Sequence, residues 1–205
     1  MPSTSATKRL SLNEIRRRVA KFAVDYKDVK QEKQHTADFW KALIACYGIE
    51  DTFLHGVTFE YPAKRSDTGR DGFIDVFQPG LYLIEQKTEG RIRIPKGRAQ
   101  SNAEEQASAY LTGGSITEAQ MPRYVITSDF RSIQITDLMV PKSSPVRTTT
   151  FLTSDLVDHV GAFLFLTGDG SETLIAEEQA EASVKAARLM ADLYEAITGD
   201  ADAPE

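Results

Sequence analysis

The residues best suited to chemistry lie in one segment, Gly72-Phe73-Ile74-Asp75-Val76-Phe77-Gln78-Pro79-Gly80-Leu81-Tyr82-Leu83-Ile84-Glu85-Gln86-Lys87. Side chains alternate along an extended strand, so Glu85 and Lys87 share a face. Asp75 sits in the apolar stretch before them, and Pro79-Gly80 is a strong turn signal. Two antiparallel strands joined there would bring the Asp75 and Glu85 carboxylates together. Their neighbours are Phe, Ile, Val, Leu and Tyr, and a charge on such a core strand needs a partner or a metal. Two chemistries satisfy that need. Lys87 can neutralise one acid and staple the hairpin as an ion pair. Alternatively, the two carboxylates hold Mg²⁺, which prefers hard oxygen ligands and keeps several waters. Lys87 would then orient or deprotonate a water for in-line attack on a phosphodiester and offset the charge building on the phosphate.

The elements that must position these groups are legible from periodicity. Leu12, Ile15, Val19, Phe22 and Tyr26 recur at helical spacing within residues 10–26, and Ser11 with Glu14 reads as a capping box. Arg16, Arg17, Arg18 and Lys21 sit largely on other faces of that helix. A second helix is expected over residues 30–47, with Phe39, Trp40, Leu43, Ile44 and Tyr47 as its stripe and Gly48 as its stop. Val57, Phe59 and Tyr61 then alternate as a strand that Pro62 ends. A turn-rich loop covers residues 64–72, and strands follow at 73–77 and 81–87. The last of these is apolar on both faces at its start, as a central strand is. Further along, a helix is expected over 100–111, closed by Gly113-Gly114, with strands at 123–127 and 132–138. Residues 141–150 read as a loop, 154–165 as a short helix, and 177–197 as a long amphipathic helix. Val184, Ala187, Met190, Leu193 and Ile197 mark one side of that helix. Helices and strands in this order predict an α+β (mixed α/β) fold, one central mixed sheet flanked by helices with a C-terminal helical extension.

Composition is that of a globular protein: 41% hydrophobic and 26% charged residues in a chain of 205. No apolar run approaches the roughly 18 residues that span a bilayer, so no membrane partner is expected. The small, polar start from Met1 to Thr7 is unlike a secretion signal. The lone Cys46 excludes an internal disulfide, fits the cytoplasm, and reads as a buried thiol. Net charge is −6, yet residues 1–100 carry 18 Lys and Arg against 13 Asp and Glu, and the remainder 6 against 17. A phosphate-contacting surface is therefore expected, if anywhere, on the N-terminal half. Solvated charge on both halves is the plain alternative. His35, His55 and His159 lack zinc-ligand spacing.

The order helix, strand, strand with Asp75, strand with Glu85-Gln86-Lys87, helix, strand resembles the PD-(D/E)xK nuclease fold. Within that class the chain resembles the N-terminal region of MmeI-like Type IIL restriction–modification enzymes, which join an endonuclease to an adenine DNA methyltransferase. The resemblance rests on Asn13-Glu14-Ile15-Arg16-Arg17-Arg18 with Phe22, and on Glu32 seven residues before Phe39. It continues through Gly72-Phe73-Ile74-Asp75, Leu83-Ile84-Glu85-Gln86-Lys87 and Gln106-Ala107-Ser108-Ala109-Tyr110. It ends with residues 122–130 and the stretch Ser183-Val184-Lys185-Ala186-Ala187-Arg188-Leu189-Met190.

What the resemblance implies is a Mg²⁺-dependent type II site-specific deoxyribonuclease acting on double-stranded DNA in defence of a prokaryotic cell, with Mn²⁺ able to substitute. Asp75, Glu85 and the backbone carbonyl of Gln86 would be metal ligands, with Glu32 as a further acid or an exposed helix charge. Lys87 would be the catalytic lysine. Gln106 and Tyr110, one turn apart, would brace the site, contact DNA or pack the core. Arg91, Arg93, Lys96 and Arg98, just beyond the catalytic strand, would contact phosphates or form a solvated loop. Residues 1–170 would form the endonuclease domain, with helices over 10–47 and a catalytic core over 55–140. Residues 171–205 would lead towards a methyltransferase.

The Asn/Asp-Pro-Pro-Tyr/Phe motif and the glycine-rich S-adenosylmethionine loop do not occur in the sequence. No S-adenosylmethionine site is therefore expected, and methyltransferase and target-recognition domains would act in cis or in trans. The C-terminal stripe must fold back or mediate homo-oligomerisation. Two other functions compete: a catalytically silent docking module of a methyltransferase, and a repair or junction-resolving nuclease of the same fold.

Overall fold

In the computed structural model, residues 10–29, 32–88 and 102–199 are described. Helix α1 (Leu12–Asp25) starts where the Ser11 hydroxyl accepts the Glu14 N–H at 3.3 Å, satisfying one of the orphan donors of a helix N-terminus. The Glu14 carboxylate holds Arg17 and Arg18 at 2.9 Å. Arg18 Nη1 also donates to the Ala45 carbonyl of α2 (Glu32–Cys46) at 3.2 Å, tying the two helices together. Ile15, Val19 and Phe22 of α1 and Phe39, Trp40, Leu43 and Ile44 of α2 are buried against each other and the sheet.

Six strands lie side by side in chain order: β1 (Thr58–Lys64), β2 (Asp71–Gln78), β3 (Tyr82–Gln86), β4 (Tyr124–Ser128), β5 (Ser132–Asp137) and β6 (Thr148–Leu152). All neighbours are antiparallel except β3 and β4. A parallel pair needs a crossover, and α3 (Asn102–Leu111) lies in that connection. The fold is thus the expected α+β arrangement around one mixed sheet. On one face α1, α2 and the segment 156–166 cover Val76, Tyr82, Ile84, Ile126, Ile133 and Ile135. On the other, Ala107 and Tyr110 of α3 pack on Ala63, Ile74, Phe77, Leu83 and Val125. Every residue of β3 is buried, as its central place demands. Among the described residues no helix is long and apolar enough to cross a membrane.

Four expectations need correction. Pro62 does not end β1, which runs on to Lys64. β1 is a sheet edge, where a missing N–H costs no ladder bond. Phe59 and Tyr61 do not share a face: Phe59 packs with the α1–α2 core and Tyr61 with the α3 core. Glu60 between them has φ +51°, a left-handed conformation that reverses the alternation. The loop expected over 141–150 contains the start of β6, which pairs with β5 from Thr136↔Thr148 to Ser132↔Leu152. Its three consecutive threonines carry no apolar alternation, because the strand lies at an exposed edge.

The helix expected over 154–165 is instead 3₁₀ in character, at Thr153–Asp155 and Val160–Gly170. Its tight i→i+3 bonds include His159 N–H to Leu156 O and Ala162 N–H to His159 O. Helix α4 (Ser171–Gly199) follows, and its side chains from 182 to 197 are all exposed, the apolar stripe included.

Candidate active site

β2 and β3 pair through Val76↔Ile84, Phe77↔Leu83 and Gln78↔Tyr82. The next position in this register sets Asp75 opposite Glu85, and the ladder stops there. The strands part, and Asp75 Oδ2 accepts the Gln86 N–H at 2.6 Å, where a strand carbonyl would otherwise serve. The Glu85 side chain is 1% exposed. Lys87 Nζ, on the same side of the sheet, donates to Glu85 Oε1 at 2.6 Å. The two acids and the lysine therefore meet at one fork in the sheet.

The backbone of Glu85-Gln86-Lys87 is held from three directions. Asp75 of β2 takes the Gln86 N–H. Ser128 of β4 accepts the Lys87 N–H at 2.7 Å through its carbonyl. The fully buried Gln86 side chain donates from Nε2 to the Lys87 carbonyl at 3.1 Å and accepts the Trp40 Nε1–H of α2 at 2.9 Å. Sequence reasoning assigned Trp40 to the core and missed this contact. The available signal was an indole N–H that must find an acceptor when buried, and a glutamine on a central strand.

Tyr110 lies over β2. Its hydroxyl donates to the Phe73 carbonyl at 2.8 Å and accepts from Gln106 Nε2 at 3.4 Å. A Cβ on Gly72 would come within 2.7 Å of that hydroxyl, so only glycine permits this approach. Burial raises the Tyr110 phenol above its ordinary pKa, and the negative charges of Glu85 and, more weakly, Asp75 add to the rise. Tyr110 is thus both a core residue and a brace two residues from Asp75.

The Arg65 guanidinium lies 5.9 Å from the Tyr110 ring centre. It is held by Asp67 through Nε at 3.0 Å and Nη2 at 2.6 Å. Asp67 raises the Arg65 pKa, and Glu85 contributes at longer range. Arg65 escaped sequence reasoning because residues 64–72 read only as a turn.

Glu32 opens α2, but its side chain lies outside the described residues, as do Arg91, Arg93, Lys96 and Arg98. His55 Nδ1 is 2.8 Å from the Asp51 carbonyl, and His159 stacks on Phe151 at 4.5 Å. Cys46 is a free, buried thiol, with Sγ 3.3 Å from the Ala42 carbonyl. Among the described residues no three His, Cys, Asp or Glu side chains converge. Two carboxylates at an opened strand end nevertheless fit Mg²⁺, whose remaining ligands are characteristically water.

A family model described as MmeI, N-terminal domain, matches residues 13–200. The chain belongs to this family. Among the described residues, the match takes in the six strands and, apart from Leu12 at the start of α1, the four α-helices, with the Asp75–Lys87 hairpin inside it. No curated protein and no solved structure matches. Membership in the MmeI N-terminal domain family connects the chain with restriction–modification.

Proposed function

We propose that this domain is a Mg²⁺-dependent endonuclease that hydrolyses phosphodiester bonds of double-stranded DNA as the nuclease part of a restriction–modification system. The observation that carries the reading is the fork itself. Just beyond the last paired residues of β2 and β3, Asp75 Oδ2 accepts the Gln86 N–H at 2.6 Å, and Lys87 Nζ lies 2.6 Å from Glu85. Asp75, Glu85 and the Gln86 backbone carbonyl would hold Mg²⁺, with Mn²⁺ able to replace it. When bound, such an ion acidifies a coordinated water and neutralises phosphate oxygens.

The residues of the chain do the rest. Lys87 Nζ is held by its bond to Glu85 and is placed to orient a water and balance charge on the phosphate. Asp75 anchors the Gln86 N–H, and Trp40 fixes the Gln86 side chain, so the turn of backbone between Glu85 and Lys87 is set before substrate arrives. Target recognition and methylation belong to other regions of the same polypeptide or to a separate chain, in a prokaryotic cytoplasm. A silent docking module is favoured by one observation only: the Glu85–Lys87 pair is already complete as a structural ion pair.

The deciding measurement is nicking of plasmid DNA in Mg²⁺ by the unaltered protein, Lys87→Ala, Asp75→Ala and the near-isosteric Asp75→Asn. Loss of about a hundredfold or more in each variant is expected, the scale for removing a charge-stabilising group. Cleavage that persists in all of them removes the assignment.

A further inference from the structure

Arg65 sits on the loop between β1 and β2, and that loop is clamped to α3. Ser66 N–H donates to the Ala109 carbonyl at 3.0 Å, and Ser66 Oγ lies 2.7 Å from Thr112 Oγ1. Lys64 N–H donates to Ser115 Oγ at 2.8 Å. A Cβ on Gly113 would fall 1.7 Å from the Lys64 carbonyl oxygen, so loop and helix end meet backbone to backbone. Arg65 itself closes the turn, through its N–H to Arg70 O at 3.0 Å and its carbonyl to Gly69 N–H at 2.9 Å. The guanidinium is carried over Tyr110, whose hydroxyl holds the strand leading to Asp75. A cation is thereby fixed beside the fork, near enough to Glu85 to feel its charge.

Its present partner is informative. Asp67 faces the guanidinium with both oxygens, Oδ1 to Nε and Oδ2 to Nη2. That planar, two-bond geometry suits a phosphate as well as a carboxylate. The pair lies two residues apart at the surface, with side chains 27% and 46% exposed, and exposed pairs contribute little to stability. An anion that binds more firmly can displace Asp67 without unfolding the loop.

We propose that Arg65 grips a phosphate of bound DNA beside the Asp75–Glu85 fork, and that Asp67 occupies the same guanidinium edge in the free protein. This rests on the nuclease reading for its ligand, but it makes a separate claim. A loop staple would need Arg65 and Asp67 together; a phosphate grip sets Asp67 against the substrate.

The test is binding of a fluorescently labelled duplex in EDTA, where a metal-dependent nuclease cannot cut, across a range of KCl concentrations. It uses the unaltered chain, Arg65→Ala, Asp67→Asn and the double variant, with thermal melting of each as a control for folding. Arg65→Ala should weaken binding by about tenfold, the worth of one charge-assisted contact, and lower the salt slope by about one. Asp67→Asn should tighten binding by about two- to fivefold, the strength of one exposed ion pair. That gain should vanish when Arg65 is also alanine.

An unchanged salt slope in Arg65→Ala, or an Asp67→Asn gain that survives in the double variant, overturns the proposal. So does failure of the unaltered chain to bind duplex at low salt. Plasmid cleavage in Mg²⁺ judges the nuclease reading independently. Cleavage with Arg65-independent binding overturns only the grip, and Arg65-dependent binding without cleavage overturns only the nuclease.

Discussion

Glu85 is a carboxylate in the most buried strand of the sheet, and its charge is tolerated because Lys87 donates to it at 2.6 Å. Removing the ammonium while keeping the acid should therefore cost more than removing both. Lys87→Met is expected to destabilise by about 3 kcal/mol, as when one partner of a buried pair is lost. Adding Glu85→Gln should recover much of that, in chemical denaturation of the unaltered protein, the single and the double variant; equal losses would place the pair outside the stability balance. Gly72 and Tyr110 form a second coupled pair. Gly72→Ala drives a methyl to 2.7 Å from the phenol oxygen and should cost about 1–3 kcal/mol as overpacking. Tyr110→Phe removes that oxygen, so the double variant should be more stable than the two single losses predict.

Cys46 has its thiol pushed up from 9.0 to about 11 by burial. A raised folded pKa contributes stability that is whole below pH 9 and fades as pH rises towards 11. Iodoacetamide at pH 8 should therefore label Cys46 only after denaturation.

At the scale of elements, the fork depends on irregularities in its neighbours. Glu60 takes φ +51° at the position in register with Asp75, and there β1 changes which core it serves. Strand propensity alone says that valine improves an edge strand. A β-branched residue is poorly suited to positive φ, so Glu60→Val should lower stability by about 1–2 kcal/mol in a melting experiment. A rise would mean the strand is regular there. Among the described residues, helix α2 reaches the fork through Trp40 Nε1–H, which donates to Gln86 Oε1. Trp40→Phe leaves a buried amide oxygen without its donor and should cost about 1–3 kcal/mol. It should also slow plasmid cleavage more than it weakens DNA binding, because the backbone beside Lys87 loses its support.

Over the whole molecule, the sheet divides two cores of unequal size. The larger is roofed by α1, α2 and the 3₁₀ segment, the smaller by α3 together with Ile116 and Leu138 among the described residues. The fork opens towards the smaller, α3-covered side, with Leu83 below it and Tyr110 beside it. Helix α4 adds nothing to either core through its described side chains from 182 to 197, where Val184, Leu189, Met190, Leu193, Tyr194 and Ile197 face solvent. Ending the chain at Glu181 should therefore leave the cooperative melting midpoint of the body unchanged; a clear drop would show that the end of α4 packs on it in solution.

Periodicity alone placed α1, α2 and five of the six strands, because apolar residues at helical or alternating spacing must face a core wherever that core lies. The acidic pair and lysine were legible for the same reason: charges inside an apolar hairpin demand an explanation that composition cannot hide. The turn at Pro79-Gly80 and the alternation of β3 were enough to bring Glu85 and Lys87 to one face and Asp75 near them. The face reversal at Glu60, the edge strand β6, the Trp40–Gln86 bond and the approach of Arg65 to Tyr110 were not legible. Each joins residues through the third dimension, by a backbone angle, a strand neighbour or a side-chain reach that spacing along the chain does not encode. Local sequence decides which residues must be buried or paired; only the packed sheet decides with whom.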